Sequence, residues 1–530
     1  INKKAFRFGR PFFCALGFFV LASFCSCAGK KAEIVDFELD LFIDDDIYIG
    51  EVRNFSLRNI NGEVIEQVGD NGEITFLGDT PLESLEESSN IYHATVPAGE
   101  YRLFEDGKDT GAFFTTDLKH DKAQIVYCST LAYARDAILA NTDTAGIFLV
   151  IKDKTFVNLG YDNPLIVASG QINSPVNIDL SDCPNMTMGY RGFYGLKNLK
   201  SIALSLDMKT LGKESFAFCS SLYRVEIPNS VQTIEGGVFE ACTSLTEIDV
   251  GTKNKSFYSE NGILFDKAKR TLVAWPSAAG DVVVPENIQL LNDYCFAGCT
   301  SLSSVRMPGV VTVKPHAFKD CSSLEKVEFS SKLESIEKNV FEHCDLLQDI
   351  KIEEENTVYS SNKGQLLSYD GTVLYAWPSA KKSVSVADSV TRIDDCAFQN
   401  QSGLVQITLG KSVREIGYQA FSSCPDLSIV IMSNVAIIET YAFEKCTSLK
   451  QVELPANLRR CDGGAFAECS SLTSISVQDG NRTYKAQNGA IYSADLKTLV
   501  EWPAASGSIT VPDTVEAIAP YAFNRNYNLK

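Results

Sequence analysis

One phenylalanine recurs at regular intervals through the last two-thirds of the chain, and this repeat limits the fold more than any other feature. It opens the pattern F-x-x-C-x-x-L in stretches such as "FEACTSL", "FAGCTSL" and "FEKCTSL". The positions are Phe193, Phe216, Phe239, Phe296, Phe318, Phe341, Phe398, Phe421, Phe443, Phe466 and Phe523. The intervals are 22 or 23 residues, except for three of 57, which we interpret as 23 residues plus an insert of 34. Such a period is typical of a repeat protein.

Each repeat unit contains a short strand pattern. In "RVEI", Val225 and Ile227 alternate with Arg224 and Glu226. This period of two predicts a strand whose apolar residues point inward. One unit alone cannot bury its apolar residues, so we predict a mainly β solenoid of stacked coils of about 23 residues that share a continuous core.

The full pattern, L-x-x-I-x-I-P-x-x-V-x-x-I-x-x-x-A-F-x-x-C, resembles the BspA-like class of leucine-rich repeats. The resemblance covers residues 191–530. It implies a leucine-rich repeat solenoid, a position on a bacterial surface, and adhesion to host matrix proteins or to other bacteria.

The cysteine of the repeat occupies one slot in most units. It is present as Cys219, Cys242, Cys299, Cys321, Cys344, Cys424, Cys446 and Cys469. Gln401, Asn526 and Leu196 take its place in the other units. A disulfide framework does not tolerate such replacements, so we predict free thiols that behave as small buried apolar groups. No paired Cys or His residues converge as zinc ligands do, and we predict neither a metal site nor a cofactor.

The three long intervals contain related inserts, "NGILFDKAKRTLVAWPSAAG", "KGQLLSYDGTVLYAWPSAKK" and "NGAIYSADLKTLVEWPAASG". Two apolar runs flank a polar turn in each, which predicts a β-hairpin. The inserts hold all three tryptophans of the chain, Trp275, Trp377 and Trp502. One hypothesis is a row of exposed rings that binds glycans or peptides. The other is that each tryptophan anchors its hairpin to the solenoid.

The N-terminal 26 residues have the layout of a secretory signal, with a basic stretch, an apolar run of about 14 residues and small residues after it. Cys27 lies between Ser26 and Ala28, which is typical of a lipidation site. Plain cleavage and an uncleaved anchor are the alternatives.

Residues 27–125 lack the repeat. Strand-like runs separated by Asn-Gly turns predict a small β-sandwich. Asp44, Asp45 and Asp46 lack the alternate spacing of a calcium loop, so we interpret them as a solvated turn. Residues 126–190 are predicted to form a cap and the first coils, with a helix at "STLAYARDAILAN" and strands at "LIVAS" and "VNIDLS".

Charge and motif content exclude several functions. The net charge is −19, and it becomes −23 once the four basic residues of the first 26 are removed. An acidic chain of this charge repels the phosphates of nucleic acids, so a nucleic acid is not a predicted partner. The four histidines fall outside any hydrolase or metalloprotease motif, and no phosphate loop is present. We therefore do not predict an enzyme.

The outward strand positions are the candidate binding residues. Most are polar, as in the pairs Arg224/Glu226 and Lys326/Glu328. The exception is "LSIVIM", which places Ile429 and Ile431 on the open face and suggests an anchor for a partner. The alternative is a register shift of this strand caused by Pro425.

These observations predict a monomeric, exported lipoprotein at the outer membrane or cell surface that binds protein or glycan partners through its repeat face. One alternative is a periplasmic scaffolding lipoprotein. Another is a glycan-binding module that uses the tryptophans of the inserts.

Overall fold

The structure is a computed structural model. It describes residues 122–530, apart from 141–145, 155–156, 170–172, 185, 380–381, 504–507, 525, 527–528 and 530. Of the residues before 122 it describes the backbone strands between 34 and 116 and the side chains of residues 101–103 and 110. The predicted signal segment, Cys27 and Asp44 to Asp46 lie outside the described residues.

Each coil of the solenoid has three parts, as the unit around Phe239 illustrates. A front strand, Arg224–Ile227, buries Val225 and Ile227. A two-residue back strand, Thr233–Ile234, follows on the opposite side. The chain then makes a turn that places Phe239 in the core, and we call this the phenylalanine turn. Successive coils pair in parallel, for example Val225 with Ile248, which confirms the solenoid of coils of about 23 residues.

The front strands form four parallel groups, interrupted near each insert and again after Ile431. The groups are Gly146–Ile151, Val176–Asp179, Leu199–Ala203, Arg224–Ile227 and Glu247–Val250; Gly280–Val283, Leu302–Met307, Lys326–Phe329 and Asp349–Ile352; Ser383–Ser385, Gln406–Thr408 and Ile429–Ile431; Gln451–Leu454 and Ser474–Val477.

The back strands form a second set of ladders that includes the strands of the inserts. The ladders are Val157–Leu159, Met186–Met188, Thr210–Leu211 and Thr233–Ile234; Phe257–Glu260, Ile263–Asp266, Thr271–Ala274, Leu290–Leu291, Thr312–Val313 and Ser335–Ile336; Tyr359–Asn362, Gln365–Ser368, Val373–Ala376, Arg392–Ile393, Glu415–Ile416, Ile437–Ile438 and Arg460–Cys461; Tyr484–Gln487, Ala490–Ser493, Thr498–Glu501 and Ala517–Ile518.

The N-terminal strands continue the first front sheet, a continuity that the sequence did not predict. Ile34–Ile43 pairs in parallel with Lys122–Cys128, which pairs in parallel with Gly146–Ile151. Ile91–Pro97 and Glu83–Ser84 extend this sheet in antiparallel pairing. A separate antiparallel sheet contains Thr80–Pro81, Phe55–Asn59, Gly99–Glu105 and Lys108–Thr116, and Gln67–Val68 pairs with Ile74–Thr75. One sheet of the predicted sandwich region is thus shared with the solenoid.

Two helices lie between this region and the regular coils. Leu131–Ala140 is the helix that the sequence predicted, and it buries Leu131, Ala134 and Ile138. The strand predicted at "LIVAS" is wrong, because Pro164–Ser169 is a helix. The Asn163 side chain accepts a hydrogen bond from the Leu165 amide at 3.0 Å, which caps the helix start and favours helix over strand.

The phenylalanine rings stack along the solenoid and form the centre of its core. Phe421 illustrates the arrangement, with its ring centroid 4.7 Å from that of Phe398 and 5.1 Å from that of Phe443. Among the described residues, those two before and two after the phenylalanines adopt positive φ, as Glu214 and Phe218 do at 58° and 64°. This left-handed backbone makes the turn tight, and between inserts the successive rings stack on one another.

The cysteine slot has a direct structural role. Cys424 Sγ donates a hydrogen bond to the carbonyl of Phe398 at 3.0 Å, and Cys242 Sγ does the same to Phe216 at 3.0 Å. Burial raises the pKa of Cys424 to about 12, so the thiol keeps the proton that it donates. Gln401 and Asn526 are also donors, which explains why they replace cysteine here. All the described cysteines are free, as predicted.

The long intervals differ from the prediction of one coil plus a 34-residue insert. Trp275 lies 36 residues after Phe239 and 21 before Phe296, and its ring packs on Phe296 at 5.8 Å as a phenylalanine would. Cys299 accordingly donates to the Trp275 carbonyl at 3.2 Å. Each 57-residue interval therefore holds two coils, and the extra residues lie in the first of them. The repeat pattern concealed this because tryptophan replaces the phenylalanine.

The extra residues add antiparallel strands to the back ladder. In the first insert, Phe257–Glu260 pairs with Ile263–Asp266, which pairs with Thr271–Ala274. Thr271–Ala274 then pairs in parallel with Leu290–Leu291. Gly262 makes the two-residue turn at φ 73°, and a Cβ there would lie 2.4 Å from the Thr246 carbonyl oxygen, so this position requires glycine. Each insert thus lengthens a coil along the back of the solenoid.

Candidate binding surface

The first coils do not present an open front face. The guanidinium of Arg102, from the N-terminal antiparallel sheet, makes an ion pair with Glu247 and lies 5.7 Å from the centre of the Tyr223 ring. Arg224 pairs with Glu226 at 2.8 Å and with Asp249 at 3.2 Å. The candidate residues Arg224 and Glu226 therefore belong to an ionic network beside the N-terminal sheet.

The middle coils present a mixed-charge front face. Lys326 Nζ lies 2.6 Å from Glu328 Oε1, and this hydrogen bond lowers the pKa of the Glu328 carboxyl. The exposed side chains of Arg306 and Lys351 lie in register with Glu328 on either side. Exposed ion pairs of this kind contribute little to stability. A partner could therefore bind these side chains in place of their present contacts at little cost to the fold.

Ile429 and Ile431 lie on the open front face. Their exposed fractions are 46% and 44%, whereas Val430 between them packs on the core. Ile429 pairs with Gln406 and Ile431 with Thr408, in the same register as the other coils. The alternative of a register shift is therefore wrong. The front ladder is interrupted directly after this strand, so the apolar pair lies at the edge of a strand group.

The three tryptophans lie inside the ring stack. Trp377 is buried and stacks on Phe398 at 5.6 Å, while Trp275 and Trp502 are half-buried against Phe296 and Phe523. This placement supports the anchoring hypothesis and argues against a row of exposed rings.

Two histidines on the phenylalanine turns lie close to carboxylates of neighbouring turns. His316 Nδ1 lies 2.8 Å from Glu342, and His343 Nδ1 lies 2.7 Å from Asp320. The hydrogen bond to Asp320 raises the pKa of His343. Across the part of the chain that the structure describes, no three His, Cys, Asp or Glu side chains converge as a metal site would require.

The sequence analysis did not predict two features of the structure. One is a cavity at the second insert, and the other is the buried carboxyl of Glu501. An alignment of the three inserts marks both positions. Cys396 stands where the other two inserts are followed by a tyrosine, and Glu501 stands where the other two have an alanine.

The repeat arrangement corresponds to a known family. The sequence model of the "BspA type Leucine rich repeat region" matches six copies, over residues 173–262, 277–363 and 374–494. The chain belongs to this family. BspA-type members are bacterial cell-surface proteins, and their solenoids are generally binding scaffolds for proteins rather than enzymes. No curated protein matches the sequence.

A search of solved structures finds similar chains. A leucine rich cell surface protein from Faecalibacterium prausnitzii A2-165 is 22% identical, with 64% of this chain and 83% of that chain covered and a TM-score of 0.40. The pneumococcal vaccine antigen PcpA is 16% identical, with 67% and 77% covered and a TM-score of 0.34. A leucine-rich repeat protein from Bacteroides ovatus ATCC 8483 is 17% identical, with 92% and 99% covered and a TM-score of 0.29.

The described helices are short. None of them has the length and apolar character needed to cross a membrane.

Proposed function

We propose that this BspA-type protein is an exported lipoprotein, anchored through Cys27, that displays its solenoid on the bacterial surface and binds a protein partner. The binding face is the front face from Gly280 to Leu454, with Ile429 and Ile431 as its apolar anchor. Its role is adhesin-like, with a host matrix protein or another bacterium as the partner.

The observation that carries this proposal is the exposed isoleucine pair within a polar face. Two β-branched side chains, each nearly half exposed, lose apolar contact with water when a partner covers them. The flanking coils supply charged side chains such as Lys326 and Glu328. An apolar centre with a charged surround is the usual organisation of a protein–protein interface.

The N-terminal sheet supports this choice of face. Arg102 contacts Glu247, on the front strand Glu247–Val250, and Tyr223, which directly precedes the front strand Arg224–Ile227. A partner would have to displace these contacts to reach Arg224. Among the described residues, the N-terminal strand Lys108–Thr116 contacts the front strands of the first coils, Gly146–Ile151, Val176–Asp179 and Leu199–Ala203.

We expect protease treatment of intact cells to cleave this protein while a periplasmic control protein survives, because the proposal places the solenoid outside the outer membrane. Immunoblotting for both proteins measures the result. Cleavage only after the outer membrane is broken would contradict surface display and favour the periplasmic scaffold.

We expect the double substitution Ile429→Ser and Ile431→Ser to weaken binding at least 10-fold, since loss of an apolar anchor costs about 2 kcal/mol or more. The side chains point away from the core, so the melting temperature should change little. Surface plasmon resonance on immobilised matrix proteins, together with adhesion assays on other bacterial cells, measures the effect.

The matched control is Ser474→Ala with Ser476→Ala. These residues occupy the outward positions two coils further on and are exposed. The control should bind as the natural protein does. Equal binding by the isoleucine variant and the control would exclude the anchor.

A further inference from the structure

Five successive coils of the solenoid place one residue each along the edge where the front strands end. From the coil of the first insert to the coil of the second, these residues are Lys253, Glu286, Gly309, Lys332 and Glu355. Each lies two or three residues after the end of its front strand, so the five positions correspond from coil to coil. The four charged side chains are exposed. We call these five residues the edge row.

Contacts between the coils show that the edge row is continuous in space. A Cβ on Gly309 would overlap the Glu286 carbonyl oxygen, so this position requires glycine and the middle of the row carries no side chain. Lys332 Nζ reaches across the glycine to lie 3.9 Å from Glu286 Oε1. The Ser331 amide donates to the Glu353 side chain at 2.9 Å, which joins the fourth coil to the fifth.

The first insert enlarges the basic end of the edge row. The Lys267 amide donates to the Ser256 carbonyl at 2.8 Å, which holds the hairpin turn of the insert beside the loop that carries Lys253. The Asn287 side chain donates to the Lys269 carbonyl, which joins this turn to the next coil. The exposed cations of the loop and turn that make no ion pair with any residue that the structure describes are Lys253, Lys255, Lys267 and Arg270.

The second insert has the same backbone arrangement and the opposite charge. The Tyr369 amide donates to the Val358 carbonyl at 2.9 Å, as Lys267 does to Ser256 in the first insert. The exposed acidic residues of this loop and turn are Glu353, Glu354, Glu355 and Asp370. The Tyr369 side chain, which is 63% exposed, takes the place of Lys267. The two ends of the edge row therefore share one backbone arrangement and differ in sign.

The edge row is complementary to itself. Its charges run positive, negative, neutral, positive, negative. A second copy related by a two-fold axis through Gly309 brings Lys253 of each copy opposite Glu355 of the other. The same rotation brings Glu286 opposite Lys332. Every such contact occurs twice, which is the property of an isologous interface. The row spans about 19 Å, four steps of about 4.8 Å between neighbouring coils.

We propose that the edge row is the contact of a two-fold, antiparallel dimer of this chain. A polyanion fits only the basic end of the row and a basic partner fits only the acidic end, whereas a second copy is complementary to both ends at once. Lys267 and Arg270 of each copy also reach the exposed Tyr369 ring of the other in a cation–π contact. The dimer replaces the monomer that the sequence predicts.

The edge row and the proposed binding face are separate surfaces. The edge row lies where the front strands end, whereas Ile429 and Ile431 lie on the front face of a later group of strands. The dimer leaves this isoleucine pair open and does not depend on the proposed function.

Sedimentation equilibrium of the full chain over a range of concentrations tests the proposal. Exposed ion pairs contribute little one at a time, and two chains of net charge −19 repel each other at long range. We therefore expect a weak dimer whose population rises with protein concentration.

Two variants with a row of single sign should not dimerise with themselves. Lys253→Glu with Lys332→Glu makes the whole row negative, and Glu286→Lys with Glu355→Lys makes it positive. Each variant alone should dimerise about 10-fold more weakly or worse, because like charges then face each other. An equimolar mixture of the two should recover the affinity as a heterodimer, because every facing pair is again of opposite sign.

The matched control exchanges all four charges, with Lys253→Glu, Glu286→Lys, Lys332→Glu and Glu355→Lys in one chain. It keeps the net charge and the self-complementary order, so it should dimerise as the natural chain does. The four side chains are exposed, so all variants should keep the natural melting temperature closely.

Three results would overturn the proposal. They are a natural chain that stays monomeric, equal dimerisation of the natural chain and both single-sign variants, and a mixture of those variants that does not associate. Retention of a monomeric natural chain on heparin or on polylysine would overturn it as well, and would assign one end of the edge row to a different partner.

Discussion

Replacing Phe421 with alanine should lower the free energy of unfolding by about 3–5 kcal/mol, the range found when a buried phenylalanine is truncated. Phe421 is fully buried, and its ring is nearly parallel to that of Phe443, with an interplanar angle of 3°. The substitution removes contacts to the coils on both sides. Because each coil of a solenoid contacts only its neighbours, no distant part of the core compensates for the loss.

Urea denaturation followed by circular dichroism measures this effect. Phe421→Leu should lower the free energy of unfolding by less than Phe421→Ala does, since leucine leaves a smaller cavity. Asp426→Ala, an exposed position in the same coil, should change stability by less than about 0.5 kcal/mol. A loss below about 1 kcal/mol for Phe421→Ala would contradict a core centred on the ring stack.

Replacing Glu501 with glutamine should stabilise the C-terminal coils increasingly as pH rises from 4.5 to 8. Glu501 is 1% exposed, and its Oε1 accepts a hydrogen bond from the Phe466 amide at 2.8 Å. Burial raises the pKa of Glu501 from 4.5 to about 8. The corresponding residues in the other inserts, Ala274 and Ala376, carry no charge.

The direction follows from proton linkage. Between pH 4.5 and 8 the folded chain keeps the Glu501 proton and the unfolded chain releases it. The contribution of Glu501 to the free energy of unfolding is therefore most favourable below the unfolded pKa. It is lost as pH rises, at up to about 1.4 kcal/mol per pH unit. Glutamine resembles the protonated carboxyl, preserves the acceptor and does not titrate.

Melting curves at pH 5, 6.5 and 8 test this prediction. The difference between Glu501→Gln and the natural chain should be smallest at pH 5 and largest at pH 8. Other titrating groups are common to both proteins and cancel in the difference. A difference that is constant across the three pH values would show that the carboxyl is ionised in the folded state.

Much of the fold follows from local sequence patterns. The alternation in "RVEI" identified a front strand with Val225 and Ile227 inward, and the interval between phenylalanines identified the coil. Exchange of cysteine for Gln401, Asn526 and Leu196 indicated free thiols rather than a disulfide framework, and the structure added the hydrogen bond that Gln401 and Asn526 also donate from this slot. The outward position of Ile429 and Ile431 also followed from alternation. Whether these two bind a partner stays a prediction.

The remaining features depend on contacts that no local pattern records. Trp275 acts as the ring of its own coil because it stacks on Phe296, so a search for phenylalanine counted one coil where there are two. Ile34–Ile43 joins the solenoid sheet because Lys122–Cys128 pairs with it, although a strand pattern does not specify its neighbour.

The amino-acid pattern thus determines what repeats: the coil length, the inward residues and the slot of free cysteines, since each depends on residues at fixed spacings in the sequence. Three-dimensional packing decides what breaks the repeat. The space beside Cys396 exists because the residues facing it across the junction are those of a coil more than 50 positions earlier in the chain. The front face near Arg224 is partly covered because Arg102, from the N-terminal sheet, makes an ion pair with Glu247 there. Such contacts depend on the volumes and charges of residues far apart in sequence.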